Sequence, residues 1–250
     1  MLHTLQPHIR LGNQHAAQYA LLPGDPGRVA EVAKYLESPE ELAYNREFKT
    51  IKGIYKGIPV LVTSTGIGGA SAGIAIEELK NIGVKAMIRI GSCGALQPHL
   101  RVGNLVLASG AVRNDGAPDA YIDKSYPAVP DTELLLHALN AAKRTKTNYH
   151  IGIVRCHDSF YTDREQEIDN FWAEKGVLAS DMETAALFVI GGLRGIKTAS
   201  ILNVVVEKEG DLEEGINDYV DAQSASKRGE EVEILTALET IVSYHSSFQI

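Results

Sequence analysis

The 250-residue sequence contains only two cysteines, Cys93 and Cys156, and neither stands at a metal-binding spacing from other cysteines or histidines. This scarcity excludes a disulfide framework and a structural zinc site, and it predicts two buried thiols. No run approaches the ~18 apolar residues that a membrane span requires, and the N-terminus lacks the apolar core of a secretion signal. We therefore expect a soluble, cytoplasmic protein with no membrane partner.

Positive charge is also scarce. The chain has 24 Lys and Arg against 32 Asp and Glu, a net charge of −8, which is unfavourable for binding nucleic acid or an anionic membrane surface. Any anionic ligand must therefore be held by a local cluster of cations. No repeat, low-complexity tract or shift in composition divides the chain, so we expect one domain over residues 1–250.

Short apolar runs alternate with amphipathic helical stretches. The runs at 19–22 and 58–64 each lead through a glycine-containing turn into a helix, which predicts an α/β sandwich around one mixed sheet. Further strands are predicted at 86–90, 104–108, 151–156 and 199–206, and helices near 132–143, 182–193 and 227–244. Two long loops, 109–130 and 207–226, are predicted to bind or cover a ligand.

Two strand ends carry an arginine close to glycines. In the turn at 23–28, glycines permit close approach of a ligand, the helix start offers unpaired N–H groups, and Arg28 adds a planar guanidinium. This turn either binds an oxyanion or is an ordinary connection with a surface arginine. Arg89 lies inside an apolar strand, just before Gly91 and Ser92. A buried arginine needs an anionic partner, which is either a carboxylate or a bound anion.

Three further motifs are ambiguous when taken separately. The glycine run at 66–71 lacks the last glycine of a dinucleotide-binding fingerprint, because Ser71 stands there. Glu183, at a strand-to-helix junction, either favours the helix dipole or accepts hydrogen bonds from a ribose diol. Phe160 and Tyr161 either pack in the core or offer a stacking face to a sugar or base.

Together these motifs resemble the nucleoside phosphorylase family of the trimeric and hexameric type, and within it uridine phosphorylases and the related purine nucleoside phosphorylases. The resemblance rests on LLPGDPGRV at 21–29, LAYNREFKT at 42–50, STGIGGASAGIAIEEL at 64–79, IRIGSCGALQP at 88–98, FY at 160–161 and DMETAAL at 181–187. It implies a three-layer α/β/α sandwich with a central mixed, partly barrel-like β-sheet. It also implies that inorganic phosphate, as co-substrate and without a cofactor, converts a nucleoside into (deoxy)ribose 1-phosphate and free base.

The resemblance also implies roles for single residues. It places Gly24, Arg28, Arg89 and Ser92 on the phosphate, with Arg46 supplied by a neighbouring subunit. It places Met182, Glu183 and Phe160 on the ribose, with His8 reaching the 5′-hydroxyl across a dimer. Glu47, Ile67 and Ser71 match positions that hold a monovalent cation, such as K⁺, at the dimer interface of some uridine phosphorylases, and no other metal is implied. The implied assembly is a homohexamer, a trimer of dimers with shared sites.

The base-binding residues decide the substrate, and here the chain departs from the family. Purine phosphorylases of this type carry an aspartate at the position of Val206, which is followed by Glu207. Uridine phosphorylases place a glutamine and then an arginine after the Phe-Tyr pair, whereas this chain has Arg164 and Gln166 in the reverse order. We expect uridine or a related pyrimidine nucleoside, with Arg164 catalytic beside Arg89 and Glu183. The expected base-binding residues are Arg164, Gln166, Phe160 and Val206.

Several alternatives stay open. Arg164 and Gln166 either read a pyrimidine edge or form an exposed helix start. A purine nucleoside phosphorylase, in which Glu207 or Asp211 replaces the missing aspartate, is the second reading of the function. A nucleosidase is disfavoured because all three phosphate arginines are retained, and their retention beside Glu183 equally disfavours a non-catalytic binding or storage protein.

Overall fold

Strands and helices alternate along the chain, as the sequence predicts. The computed structural model describes residues 5–145, 147–210 and 224–248. Its strands are β1 (Tyr19–Pro23), β2 (Glu37–Asn45), β3 (Phe48–Tyr55), β4 (Ile58–Thr63), β5 (Ala86–Ala95), β6 (Leu105–Asn114), β7 (Tyr149–His157), β8 (Ala179–Asp181) and β9 (Lys197–Val206). Its α-helices are α1 (Pro26–Ala33), α2 (Gly69–Asn81), α3 (Thr132–Ala142), α4 (Glu165–Glu174), α5 (Thr184–Leu193) and α6 (Ser224–Ser247), and 3₁₀ turns lie at Asn13–His15 and Ala117–Ala120.

These strands form one mixed sheet in the order β2-β3-β4-β1-β5-β8-β7-β6-β9. β1 runs parallel to its neighbours β4 and β5, whereas β2, β3 and β4 form an antiparallel meander. An additional parallel pairing between β5 and β9 closes β5, β8, β7, β6 and β9 into a five-stranded ring. The predicted partly barrel-like sheet is therefore confirmed.

The core lies on both faces of this sheet. Successive residues of β1 alternate between two apolar clusters, with Ala20 and Leu22 in one and Tyr19 and Leu21 in the other, as expected for side chains that point to opposite faces of a strand. Helices α2 and α5 pack together on the first face, and α3 packs against α6 on the second. This confirms the three-layer α/β/α sandwich.

The structure also corrects the sequence-based boundaries. The predicted loop 109–130 is wrong at its start, because residues as far as Asn114 pair with β7 and extend β6. Of the predicted loop 207–226, residues 224–226 belong to α6, and residues 211–223 lie outside the described residues. The hairpin of β2 and β3 was not predicted, since most of β2 is exposed and carries no apolar alternation. Both cysteines are buried and free, as expected.

Among the described residues, no helix has both the length and the apolar character needed to cross a bilayer.

Candidate active site

The ends of six strands surround one cavity of about 880 Å³. Its lining comes from the turn after β1, the turn after β4, the ends of β5, β8 and β9, and the segment after β7. The predicted residues that line it are Gly24, Arg28, Glu47, Ile67, Ser71, Arg89, Ser92, Phe160, Met182, Glu183 and Val206. The fold therefore brings most of the predicted site residues into one enclosure.

The two turns at one edge of the cavity are joined through their backbones. The Thr65 N–H donates to the Pro23 carbonyl oxygen at 2.9 Å, and the Gly66 N–H donates to the Gly24 carbonyl oxygen at 3.0 Å. Gly66 has a φ of +69°, and a Cβ there would lie 2.6 Å from the Glu47 Cγ. Glycine is therefore required at position 66 both by backbone conformation and by space.

Arg28 lies beneath this edge rather than on the surface, since its side chain is only 4% exposed. Its guanidinium donates to the Ile90 carbonyl oxygen at 3.1 Å and pairs with Glu230 and Glu233 of α6 at 3.5 and 3.4 Å. Glu233 also accepts a hydrogen bond from the Gly91 N–H at 2.6 Å. Burial raises the pKa of Glu233 to about 8, against the lowering effect of Arg28. The alternative of a surface arginine is wrong for Arg28.

Arg89, on β5, is paired with two carboxylates, the first of the two kinds of partner expected for a buried arginine. Its Nε donates to Asp181 at 2.9 Å, and its Nη2 lies 2.5 Å from Glu183. Burial opposes the charged form, but Glu183 and Asp181 outweigh it and raise the pKa of Arg89 above its ordinary value. The third nitrogen, Nη1, is buried and makes no hydrogen bond to any described residue. One donor of a cavity-lining cation is thus left for a ligand.

Glu183 is held in place from two sides. One carboxylate oxygen accepts a hydrogen bond of 2.6 Å from the Gly68 N–H, and the other meets Arg89. Burial raises the pKa of Glu183, while Arg89 lowers it. Behind it, Asp181 accepts hydrogen bonds from the backbone N–H and the hydroxyl of Thr184 at 3.0 and 2.6 Å, which fixes the start of α5.

Another part of the cavity wall, after β7 and at the end of β9, is aromatic and apolar. Phe160 and Tyr161 meet edge to face with ring centroids 4.9 Å apart, and Val205 and Val206 from the end of β9 line the same cavity. Such a wall is suited to a flat ring, because aromatic and aliphatic groups bury its faces without demanding hydrogen bonds.

Two predicted residues lie away from the cavity of their own chain. His8 Nδ1 is 2.7 Å from a carboxylate oxygen of Glu78, which also accepts the backbone N–H groups of His8 and Ile9. Arg46 is exposed at the β2–β3 turn, with a φ of +55°. Neither lines the cavity, and their contribution to a neighbouring subunit's site stays a prediction.

Arg164 and Gln166 do not line the cavity either. Arg164 caps the start of α4, and its guanidinium forms two hydrogen bonds of 2.9 and 2.8 Å with Glu167, one turn further on. Its side chain is 68% exposed, and Gln166 is exposed as well. This geometry matches the exposed helix start, the second of the two readings given above. The assigned role of the pair at the base stays a prediction.

Glu47 and Ser71 form a small oxygen cluster in the lining of the cavity. The Ser71 hydroxyl lies 2.7 Å from a Glu47 carboxylate oxygen and 2.6 Å from the Thr65 carbonyl oxygen, two acceptors for one proton. Ile67, between these residues in sequence, has a side chain that is largely exposed. Carboxylate, hydroxyl and carbonyl oxygens are donors of the kind that a hard monovalent cation accepts. Within the described ranges, no group of three or more His, Cys, Asp or Glu is placed to hold a metal.

The residues proposed for the purine alternative are placed differently. Glu207 faces the loop between β5 and β6, where it accepts from the Val102 N–H at 3.2 Å and pairs with Arg101 at 3.4 Å. It does not line the cavity. Asp211 lies outside the described residues.

Several titratable residues of the site are absent from the set predicted from the sequence. Arg155 and His157 of β7 and Glu165 and Asp169 of α4 line the cavity, and Glu233 lies beneath it with Arg28. A signal for Arg155 was present, because it is a cation in a strand between apolar residues, as Arg89 is. Glu233 interrupts the apolar face of α6, which is the helical counterpart of the same signal.

The comparisons with known proteins agree with this geometry. The Phosphorylase superfamily profile matches residues 18–238. A guanosine phosphorylase of Halorubrum lacusprofundi is 37% identical over 80% of this chain and 82% of its own. A uridine phosphorylase of Thermococcus kodakarensis is 38% identical over 82% of this chain and 78% of its own.

A solved structure extends the likeness to three dimensions. The uridine phosphorylase of Vibrio fischeri superposes with a TM-score of 0.90 and 42% identity, covering 96% of this chain and 97% of that one. The match therefore includes the ring of strands, the flanking helices and the turns that build the cavity. Sequence and structure together establish that this chain belongs to the Phosphorylase superfamily.

Proposed function

We propose that this chain catalyses the phosphorolysis of a nucleoside, with inorganic phosphate as the co-substrate and uridine or a related pyrimidine nucleoside as the other substrate. The observation that carries the proposal is the free Nη1 of Arg89, a buried cationic donor in a cavity that also holds Glu183. Its neighbours Gly24, Arg28 and Ser92 line the same cavity. A buried donor without a partner costs free energy, and a bound anion would complete its hydrogen bonding.

Phosphate binding follows from charge and donors. Arg89 supplies a charge-assisted donor and Ser92 a hydroxyl, while Gly24 allows the anion to approach the backbone closely. The N–H groups of Gly27 and Arg28 at the start of α1 already donate to Asp25. Arg28 contributes positive potential from beneath, and burial raises the pKa of Glu233, which favours its neutral form. The net charge around the anion is thereby less negative than the number of carboxyl groups implies.

The chemical step follows from the placement of the sugar between phosphate and base. A phosphate oxygen attacks the anomeric carbon, the bond to the base nitrogen breaks, and its electron pair leaves with the base. Positive charge develops on the sugar, so a phosphate anion beneath the ring stabilises the transition state. Glu183 accepts hydrogen bonds from the ribose hydroxyls, and Met182 and Phe160 enclose the sugar. The cavity walls exclude water, which would otherwise hydrolyse the nucleoside.

The assembly and the compartment are part of the proposal. Arg46 and His8 are exposed or half-exposed outside the cavity of their own chain, which is consistent with their serving a neighbour's site in a homohexamer built from dimers. The oxygen cluster of Glu47 and Ser71 holds a monovalent cation such as K⁺ there, with Ile67 contributing from the same turn. The enzyme acts in the cytoplasm in nucleoside salvage.

For the base, Phe160 and Val206 pack on its faces. The sequence assigns the edge of uracil to Arg164 and Gln166, but neither lines the cavity of its own chain. Uridine phosphorylases among the relatives support a pyrimidine, and so does the apolar Val206 at the position where an acid was expected. The guanosine phosphorylase relative supports a purine nucleoside as the second candidate.

The proposal is tested by measuring base release from uridine, thymidine, inosine and adenosine, with phosphate and in phosphate-free buffer. We expect release that depends on phosphate, fastest with uridine. Equal release without phosphate contradicts phosphorolysis. Faster cleavage of inosine than uridine replaces the first substrate with the second candidate but leaves the reaction standing.

A further inference from the structure

We propose that Arg155, acting with Asp169, reads the polar edge of the base and selects bases that present a carbonyl oxygen beside an N–H group. Uracil, hypoxanthine and guanine have this edge, whereas cytosine and adenine present an amino group beside an unprotonated nitrogen. The inference rests on the proposed function and names the specificity of the same site. It assigns base reading to residues different from Arg164 and Gln166.

Arg155 lies on the side of β7 that faces away from the core. Along β7, Val154 and Cys156 are fully buried in the core, so the alternate residues Arg155 and His157 face the other side of the strand. At the end of β7 that side faces the cavity, which both of them line. The Arg155 side chain is only 11% exposed, and its charge is therefore directed at the enclosure rather than at bulk solvent.

The Arg155 guanidinium is held in place, but not all of its hydrogen-bond donors have an acceptor. Its Nε donates to the Asn114 side-chain oxygen at 3.2 Å, and its Nη1 lies 3.8 Å from an Asp169 carboxylate oxygen, beyond hydrogen-bond range. No hydrogen bond from Nη1 or Nη2 to another described residue is found. Two terminal nitrogens of a positioned guanidinium therefore remain for a ligand.

The Asp169 carboxylate places a hydrogen-bond acceptor beside the Arg155 donor. Asp169 and Glu165 are one turn apart on α4 and both line the cavity, whereas Gln166 and Glu167 are exposed on the other side of the helix. Burial lowers the pKa of Arg155 and raises that of Asp169. Both charged forms have therefore lost hydration that a polar ligand edge restores.

The Arg155 and Asp169 pair is complementary to one kind of base edge. A guanidinium N–H donates to a carbonyl oxygen, and a carboxylate oxygen accepts from the adjacent N–H, so the pair fits a carbonyl and N–H edge in one orientation. An amino group facing Arg155, or an unprotonated nitrogen facing Asp169, sets like partners against each other. As the glycosidic bond breaks, negative charge grows on the carbonyl oxygen, and Arg155 stabilises it.

The test compares matched substrates in matched variants. In Arg155→Met, we expect kcat/KM for uridine to fall by ~10²-fold, with part of the loss in kcat, because the lost contact strengthens in the transition state. Cytidine should lose much less, so the preference for uridine over cytidine collapses. Asp169→Asn, whose amide also donates, should improve cytidine relative to uridine. Arg144→Met, at an exposed arginine outside the cavity, is the control and should change neither rate.

For nucleosides that are cleaved too slowly for kcat/KM to be measured, the inhibition constants of the free bases give the same comparison between uracil and cytosine. Uracil and hypoxanthine should lose affinity for the Arg155→Met enzyme, whereas cytosine should not. Equal losses for uracil and cytosine would show a structural role and overturn the proposal. A large effect of Arg164→Ala on uridine with Arg155→Met silent would also overturn it, in favour of Arg164. Phosphate-independent cleavage by the unmodified enzyme is a different failure, because it refutes phosphorolysis and leaves base preference measurable.

Discussion

Replacing Arg89 by methionine separates its structural role from its catalytic one. The substitution keeps an unbranched, buried side chain but removes the cation that pairs with Asp181 and Glu183 at 2.9 and 2.5 Å. Breaking a buried ion pair by removing one partner costs about 3–5 kcal/mol, because the remaining carboxylates are left without compensation. We therefore expect the free energy of unfolding to fall by about that amount.

The effect on catalysis has a separate origin. Loss of one positioned charge-stabilising donor typically lowers kcat by ~10²–10³-fold, and Arg89 also supplies the free Nη1 for phosphate. We expect a loss of at least this size in kcat/KM for phosphate. Raising the phosphate concentration should recover only part of it, because the interaction strengthens as the phosphate oxygen attacks.

A double variant distinguishes the two effects. In Arg89→Met with Glu183→Gln, one uncompensated charge is neutralised, so stability should rise relative to Arg89→Met alone, as measured by denaturant unfolding. Activity should not return, since both phosphate and ribose contacts are then missing. If the double variant, or Arg89→Met itself, retained near-normal phosphate-dependent turnover, the assignment of Arg89 to the anion would be refuted.

Three further predictions concern the assembly, the cation and the buried acid. Arg46→Ala and Glu183→Ala chains should each be inactive alone. After random reassembly of a 1:1 mixture, half of the dimers are mixed and each of these has one intact site of two, so about one quarter of all sites should be active. No recovery in demonstrated mixed oligomers would contradict shared sites. Replacing K⁺ by tetramethylammonium should lower the melting temperature of the wild type but not of Glu47→Gln, and equal shifts would contradict a cation there. Between about pH 5 and 8, unfolded Glu233 ionises while the folded group keeps its proton up to about pH 8, so the wild type should lose stability relative to Glu233→Gln as pH rises. A constant difference in unfolding free energy would contradict the raised pKa of Glu233.

The layers of the fold can be predicted from the sequence because buried strands and helices leave recognisable patterns of apolar residues. The apolar runs that form β1, β4, β5 and β9 are buried almost throughout. Strands of this kind are recognisable in a sequence as continuous apolar segments. The edge strand β2 is mostly exposed, so nothing in its composition distinguishes it from a loop. The extension of β6 as far as Asn114 depends on pairing with β7, a non-local contact that local sequence does not encode.

The site divides in the same way. Arg89 was recognisable because a charge in an apolar strand demands a partner, and the motifs around Gly24, Ser92 and Glu183 supported it. The direction in which α4 presents its residues was not recognisable, since the helix start at Arg164 and the cavity face through Glu165 and Asp169 differ by one position. A shift of one residue on a helix turns a side chain by about 100°, which is enough to exchange a cavity residue for an exposed one.

The central claim is that phosphate, not water, takes the sugar from the base. It is tested most directly by incubating the enzyme and uridine with phosphate labelled with ¹⁸O at all four oxygens and following the reaction by ³¹P NMR. The account predicts one new phosphate-ester resonance for each base released, with all four labelled oxygens retained, since the C–O bond forms from a phosphate oxygen. Release of uracil without a new phosphate ester, or formation of an ester that has lost one labelled oxygen, would contradict it.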